Sequence, residues 1–263
     1  MTKLIINADD FGYSNGVNYG IIDAHKYGMV TSATLMVTMP GVSHAVSLMR
    51  ENPLLAVGLH LNISLGAPLT TGKTLVGDDG NFIKPHKLKE GYKYDFEELK
   101  AECCAQYNKF VELTGKNPSH IDSHLATHEK IDEMKEASSI LAEKKGIPLR
   151  SIPLKHTKHV EFIQHRTFGA KPGLDYIIDN LDNIIKHDFV EIMCHPAYVD
   201  AYLMENSSYN TQRLGELEFL LAKDLPEKLK AKGMVLTNYY EAVYRSRRVG
   251  PCSLFDSPWP KQI

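Results

Sequence analysis

The chain has 263 residues, which is enough for one large domain with a buried core, and α/β barrels commonly use about 200–250 residues as a single unit. It carries 30 Lys and Arg residues against 32 Asp and Glu residues, a formal net charge of −2 at pH 7. Proteins that bind nucleic acids usually concentrate Lys and Arg, so this balance argues against a polyanionic partner. We therefore predict a single domain over residues 1–263 and no nucleic-acid partner.

The cysteines and the N-terminus indicate the compartment. Four cysteines are present, namely Cys103, Cys104, Cys194 and Cys252. They show no Cys-x-x-Cys or zinc-ribbon spacing, and an adjacent pair suits a helix better than a disulfide framework. The N-terminus meets an Asp-Asp pair before any long apolar segment of a signal peptide, and no uncharged run approaches the ~20 residues that span a bilayer. We predict a cytoplasmic protein with no membrane partner.

Short apolar runs alternate with longer amphipathic runs along the chain, which is the pattern of repeated strand–helix units in a largely parallel sheet. The predicted strands are Leu4 to Asn7, Ala33 to Val37, Ala56 to Leu61, His120 to Asp122, Leu149 to Ile152, Phe189 to Met193 and Met234 to Leu236. The predicted helices are Gly16 to Lys26, Val42 to Glu51, Phe96 to Leu113, Lys130 to Lys145, Leu174 to Lys186, and Thr211 to Lys232 with a break at Pro226. With no evident linker or repeat, the predicted fold class is α/β: a single (β/α) barrel, irregular or seven-stranded.

One long segment lacks any periodicity. It runs from Ile63 to Lys93, directly after the third predicted strand, and is rich in Gly, Pro, Asp and Lys. A loop of about 30 residues is unusual in a compact domain and often serves as a lid or a binding loop. A second irregular region, residues 156–173, and the tail, residues 249–263, are candidates to cover the barrel mouth or to form an interface.

An acidic pair, Asp9 and Asp10, follows the first predicted strand. In parallel β/α folds the carboxyl ends of the strands are where active-site residues gather. One carboxylate of such a pair can bind a divalent cation while its neighbour accepts a proton from the bound water. The alternative is that the pair opens a turn or caps the next helix, because the following residues are rich in turn formers.

Three histidines occupy similar positions. His60 lies in the third predicted strand, where the alternative reading is a buried core histidine. His124 and His128 follow the fourth strand with an i, i+4 spacing that places both on one face of a helix, compatible with shared metal chelation. The alternative for this pair is a solvated helix start, which the neighbouring Glu129 and Lys130 support.

Two further residues are candidates at later strand ends. His195 ends an apolar strand that Pro196 stops, a position that suits a general acid, although a histidine bonded to backbone is the alternative. Arg150 could pair with a site carboxylate and lower its pKa, or lie on the surface.

The common placement of these residues favours a metal site. An aspartate and three histidines fall at successive predicted strand ends, which independent structural accidents would rarely arrange. A mixed Asp/His set of three leaves positions open for water and substrate on zinc or another divalent ion. The residues therefore predict a catalytic metal site built from Asp10, His60 and His124.

The same motifs resemble a known family. The segments Asn7 to Gly12, Thr31 to Thr34, Gly58 to Asn62 and His120 to His124 resemble the YdjC-like carbohydrate deacetylases, which include the chitooligosaccharide deacetylases. The resemblance extends from the start of the chain to about Pro196. It implies a β/α barrel of the glycoside hydrolase and deacetylase type, a divalent metal that is magnesium in this family, and a homodimer.

The resemblance also implies roles. His60 and His124 would be metal ligands, and one aspartate of the pair would complete the site. By similarity to the wider polysaccharide deacetylases, Asp9 would be the base and Asp10 the ligand. The implied reaction is hydrolysis of the acetamide of an N-acetylated sugar, which releases acetate and an amino sugar, with His195 protonating the departing amine.

One departure from the family concerns the substrate. Many relatives carry extra histidines directly after Asp-Ser-His, whereas here Leu125 and Ala126 stand there and only His128 remains. We expect the substrate contacts near this loop to differ, with His128 and Arg150 as candidates for substrate binding.

Two alternatives stay open: another metal-dependent hydrolase on the same barrel, such as a phosphoesterase or cyclic-amide hydrolase, and a non-catalytic sugar-binding protein.

Overall fold

Seven parallel strands form one curled sheet in the computed structural model, which describes residues 1–163, 177 and 180–244. The strands are β1 (Thr2–Phe11), β2 (Ser32–Leu35), β3 (Ala56–Leu61), β4 (Ile121–Ser123), β5 (Glu161–Phe162), β6 (Phe189–Cys194) and β7 (Met234–Leu236). Their order is β4-β3-β2-β1-β6-β5, and β7 pairs with β1. The sheet is a curled half-barrel, because no ladder within the described ranges joins β5 to the β4 edge.

The helices connect these strands and cover the sheet. They are α1 (Asn15–Lys26), α2 (Val42–Glu51), α3 (Phe96–Thr114), α4 (Thr127–Lys130), α5 (Asp132–Lys145), α6 (Leu181–Ile184), α7 (Ala201–Asn206), α8 (Gln212–Leu220) and α9 (Leu225–Ala231), with 3₁₀ turns at Pro85–Lys87 and His124–Ala126 and a π-helical turn at Tyr240–Tyr244. Ser14 and Asp95 cap the first turns of α1 and α3. Across the described ranges, the helices lack the length and apolar character needed to cross a membrane.

Strand β1 is the centre of the sheet. It pairs with β6 from Lys3 to Ala8, with β7 from Thr2 to Leu4, and with β2 from Asn7 to Phe11. Leu4, Ile6 and Ala8 belong to the main apolar core, whereas Ile5 belongs to a smaller cluster with Tyr239. Because side chains alternate along a strand, Asn7 and Asp9 share the face of Ile5 and point into the curl of the sheet.

The β1–β2 register shifts between Ala8 and Phe11, at the acidic pair. Asp10 has a φ of +68°, in the left-handed region that non-glycine residues rarely adopt. Such irregularities in a strand re-aim side chains and are frequent beside active sites. The end of β1 therefore turns consecutive aspartates toward different neighbours.

The predicted fold class is confirmed, and most predicted elements are found. The strands Ala56–Leu61 and Met234–Leu236 and the helix Val42–Glu51 have the predicted bounds. The predicted helix over Thr211 to Lys232 is two helices, and its break lies before Pro226. Pro226 falls in the first turn of α9, where its missing N–H costs no hydrogen bond.

Two strand predictions were wrong. Leu149 to Ile152 is a tight turn, because Ser151 has a φ of +61° and Leu149 bridges both Ile121 and Ile152. The short strand β5 lies in the region predicted to be irregular, since two residues carry too little periodicity to detect. Residues 174–176, 178 and 179 of the predicted helix Leu174 to Lys186 lie outside the described residues, and Leu181–Ile184 is helical in its described part. The tail, residues 249–263, also lies outside the described residues.

The predicted loop from Ile63 to Lys93 is irregular apart from one 3₁₀ turn and a single bridge. Two glutamates of α3 anchor it. Glu98 accepts hydrogen bonds from the backbone N and the hydroxyl of Thr74 at 2.7 and 2.6 Å, and Glu102 accepts the corresponding bonds from Thr70 at 2.9 and 2.7 Å. The loop is thus fixed to α3.

Cys103, Cys104 and Cys194 are free thiols, and Cys252 lies outside the described residues.

A pair of helical glycines tests the packing of α1. A Cβ atom at Gly20 would lie 2.5 Å from the Cα of Ala197, a backbone atom of the segment after β6, whereas a Cβ at Gly215 in α8 meets nothing within 4 Å. We expect Gly20→Ala to destabilise the fold by about 1–3 kcal/mol through overpacking. The matched Gly215→Ala should stabilise it by about 0.5–1 kcal/mol through helix propensity. Urea unfolding measures both, and equal effects would contradict the close packing.

Candidate metal centre

Three ligand atoms converge at the carboxyl ends of the central strands. Asp10 lies near the end of β1, His60 near the end of β3, and His124 directly after β4. The Oδ1 atom of Asp10 lies 3.3 Å from Nε2 of His60 and 2.9 Å from Nδ1 of His124. Ligands bound to one ion at about 2.1 Å lie roughly 3 Å from each other. The spacing therefore fits a single divalent cation between these three residues.

The orientation of His60 is set by its cross-strand neighbour. The β3–β4 register places His60 opposite Asp122, and its Nδ1 lies 2.6 Å from Asp122 Oδ1. Thr34 donates to the other carboxylate oxygen at 3.0 Å. A carboxylate that accepts from Nδ1–H directs the opposite ring nitrogen toward a metal. His60 can thus offer Nε2 on the side where Asp10 lies.

Buried charge shifts the pKa of this histidine. Burial disfavours the charged imidazole, but Asp122 and Asp10 outweigh burial and raise the pKa of His60 to about 10. In the absence of a cation the ring is therefore protonated at neutral pH. Because a metal ligand must be neutral at its donor nitrogen, a cation that binds here displaces a proton.

Asp10 is ionised although it is fully buried. Burial alone would raise its pKa, but His124 and Arg213 outweigh it and hold the pKa well below its usual value. Arg213 Nη2 donates to Oδ2 at 2.7 Å. The backbone oxygen of Asp10 accepts from the N–H of Tyr13 at 2.9 Å, which holds the strained turn.

A single buried guanidinium bridges the carboxylates next to this cluster. Arg150 donates from Nη1 and Nη2 to the two oxygens of Asp9 at 2.8 and 2.7 Å. The same Nη2 lies 2.7 Å from Asp122 Oδ2 and 2.6 Å from Glu191 Oε1. Arg150 is only 4% exposed, so it is an internal cation and not a surface arginine. It fixes Asp9 on the inner face of the sheet beside the candidate ligands.

The segment after β4 separates His124 from His128. Leu125 and Ala126 have φ values of 57° and 53°, so no continuous helix joins the two histidines. His128 is buried, its Nδ1 lies 2.6 Å from the Ser123 hydroxyl, and its Nε2 lies 3.2 Å from the Arg150 carbonyl. The structure does not bring His128 to the ligand cluster. It places this side chain in the wall, between β4 and the turn that carries Arg150.

His195 reaches the site from β6. Its backbone N–H donates to the buried carboxylate of Glu216, and its Nδ1 lies 4.0 Å from Oε1 of the same group. The hydroxyl of Tyr209 also donates to Glu216, and the Tyr209 and His195 rings meet edge to face with centroids 5.7 Å apart. The imidazole remains partly exposed, so a buried acidic group backs a ring that faces the open site.

The candidate ligands, Asp9, Arg150 and His195 line one cavity of about 700 Å³. This volume is within the range of small-molecule sites. Its lining also includes Lys84 and His86 from the segment between β3 and α3, and Leu125 from the turn after β4. The anchored loop between Ile63 and Lys93 therefore contributes to the candidate site, as its length predicted.

The sequence analysis missed several members of the site. Asp122 stands inside the His120 to His124 motif, where its alternation with the histidines is a usable signal. Arg213 and Glu216 had no such signal, because a charged residue in an amphipathic helix normally predicts a solvated face. The contact that brings Arg213 to the site is also remote in sequence, because Asp10 lies 203 positions away.

A parallel β/α half-barrel places an Asp–His–His cluster at its strand ends, where enzymes of this fold class carry their active-site groups. The family model of YdjC-like proteins matches residues 3–231, and the chain belongs to this family. Carbohydrate deacetylase 2 of Listeria innocua is 47% identical over 243 residues, covering 91% of this chain and 98% of that protein. A carbohydrate deacetylase of Clostridium beijerinckii is 39% identical over 245 residues, covering 90% and 98%.

A solved structure is also similar. It is a protein of Enterococcus faecalis V583 whose name proposes a role in cleaving cellobiose-phosphate. The two chains are 32% identical, the TM-score is 0.82, and the match covers 91% of this chain and 98% of that one. The predicted family is thus confirmed by sequence and by fold.

The charge network around Arg150 makes a stability prediction. Arg150→Met leaves Asp9, Asp122 and Glu191 buried without their cation, and we expect it to destabilise the fold by about 3–5 kcal/mol. The control Arg50→Met, at an exposed position of α2, should change stability by less than about 0.5 kcal/mol. Urea unfolding with a chelator present removes any contribution from bound ions. Equal stabilities of the two variants would show that the network is not needed for folding.

Proposed function

We propose that the protein is a metal-dependent carbohydrate N-deacetylase. It hydrolyses the acetamide of an N-acetylated sugar, a chitooligosaccharide or a related compound, and releases acetate and an amino sugar. The observation that carries this proposal is the cluster of Asp10, His60 and His124 in the lining of a cavity of about 700 Å³. The carbohydrate deacetylases among its relatives supply the substrate class.

The donor set suits a divalent cation. A bound cation would polarise the acetamide carbonyl and lower the pKa of a water molecule that it binds. Two imidazole nitrogens and one carboxylate oxygen favour a transition ion such as Zn²⁺, whereas the family resemblance implies Mg²⁺, which prefers oxygen ligands. Anomalous scattering from crystals grown with each ion would identify the metal and its ligands.

Asp9 is the proposed general base. Its inward-facing carboxylate lies one residue from the ligand Asp10, and Arg150 holds both of its oxygens. Each carboxylate oxygen can accept more than one hydrogen bond, so the salt bridge leaves acceptor capacity for a water molecule. Arg150 therefore orients the base, and a direct contact of Arg150 with substrate stays a prediction, as does one of His128.

His195 is the proposed general acid. An amine is a poor leaving group until it receives a proton, so the reaction needs a donor on the cavity wall. His195 lies on that wall, and Oε1 of Glu216 lies 4.0 Å from its Nδ1. The proposed acid directly follows β6 and the proposed base lies on β1, so the two groups reach the cavity from different strands.

The remaining sequence predictions concern the molecule as a whole. A cytoplasmic location, a homodimer and a single domain over residues 1–263 stay predictions, the second of them based on the family resemblance. A metal-dependent phosphoesterase on the same barrel is the alternative enzyme, and parallel assays on a phosphate ester distinguish it.

Loss of a ligand should abolish activity. We expect Asp10→Ala and His124→Ala each to lower acetate release from a diacetylated chitooligosaccharide by about 10³-fold, since the metal contributes several kcal/mol to catalysis. Chelation of the wild-type protein should have the same effect and be reversed by added metal. The control His187→Ala, in the turn before β6, should retain activity. Full acetate release by either ligand variant would refute the assignment.

The assignment of His195 as the general acid leads to a separate prediction. His195→Asn should lower kcat for deacetylation by about 10²–10⁴-fold while metal affinity, measured by calorimetric titration, stays within twofold of the wild type. The reason is that the side chain donates a proton but is not among the ligand atoms. A loss of metal binding in this variant would instead assign His195 to the ion.

A further inference from the structure

We propose that Arg213 is a positioning residue that restricts Asp10 to one-oxygen ligation of the metal and so keeps coordination positions open for water and substrate. This inference rests on the metal centre proposed above. It assigns a role to a side chain that reaches the metal centre from helix α8 and not from a strand of the sheet.

The geometry fixes the guanidinium firmly. Arg213 is 2% exposed, its Nη2 donates to Asp10 Oδ2 at 2.7 Å, and its Nε donates to the Tyr209 carbonyl at 2.8 Å. The rings of Tyr13 and Tyr209 lie 5.8 and 5.7 Å from its Cζ atom, within cation–π range. A planar group held at two nitrogens cannot follow a rotation of the carboxylate.

This geometry leaves only one oxygen of the Asp10 carboxylate directed at the candidate ligands. Oδ2 is bonded to Arg213, and only Oδ1 lies against His60 and His124. Carboxylates bind cations through one or both oxygens. Ligation through both would give four protein donor atoms with the two imidazoles, which fills a tetrahedral site. Ligation through one gives three, which leaves room for water and substrate, as catalytic sites require.

A purely structural salt bridge would be expected to satisfy the whole guanidinium. Buried donors are nearly always paired in folded proteins. Arg213 Nη1 is buried, yet it has no hydrogen-bond partner within the described part of the chain. The position of Arg213 therefore provides the contact with Asp10 but leaves one of its own donors unpaired among the described residues. This favours a role at the metal centre over a role in packing alone.

Metal affinity alone does not test this role. The Arg213 charge repels a cation, so its removal strengthens ion binding, while loss of ligand orientation weakens it. These effects oppose each other. The discriminating measurement is the behaviour of the centre once the ion is saturating, because only a change in coordination then remains.

The experiment compares Co²⁺-loaded wild type, Arg213→Met and Arg213→Lys, each titrated to one ion per chain. We expect Arg213→Met to bind one ion, to change the visible absorption of Co²⁺, and to lower kcat for deacetylation by 10–100-fold at saturating Co²⁺. Arg213→Lys keeps the charge beside Asp10 and should partly restore both the wild-type Co²⁺ absorption and the wild-type kcat. Arg50→Met is the matched control and should leave both unchanged.

Two results would overturn the inference. One is an unchanged Co²⁺ spectrum in Arg213→Met, and the other is recovery of its kcat to within twofold of the wild type when the ion is saturating. If Arg213→Met does not fold by circular dichroism, Arg213→Lys carries the same comparison. Failure of the proposed function is separate, because wild type would then bind Co²⁺ without releasing acetate, and the spectra would still test Arg213.

Discussion

Buried carboxylates crowd the carboxyl edge of the central strands, and their charge has to be balanced inside the protein. Asp9, Asp10, Asp122 and Glu191 are each no more than 3% exposed. Unpaired buried charges cost several kcal/mol each, so the sheet edge is stable only with cations beside it. Arg150 supplies a cation to three of these acids on the inner face, and the rest of the site is arranged around that constraint.

The division of the acids explains how one edge serves both stability and chemistry. Arg150 contacts Asp9, Asp122 and Glu191, whereas Asp10 points to the histidines and to a different arginine, Arg213. The strained φ of Asp10 produces this split between consecutive residues. Strain of this kind persists where surrounding contacts over-determine it and gathers at functional sites.

Much of this architecture follows from local sequence patterns. Apolar runs of period two and amphipathic runs of period 3.6 predicted the strand–helix alternation, because these periods are imposed by backbone geometry. Since parallel strands share one carboxyl edge, residues that end different strands had to meet. That argument predicts that Asp10, His60 and His124 lie together, and in the structure their ligand atoms lie within 4.8 Å of one another.

What the sequence by itself determined, then, is the strand–helix frame and the convergence of polar strand ends. Only the tertiary structure decided that Arg150 is an internal cation, that His128 lies in the wall, and that Arg213 and Glu216 face the site. These features depend on which surface of each element is buried and on partners as far as 203 residues away. A local pattern reports how a segment folds, but the partner of a buried charge is chosen by packing across the whole chain.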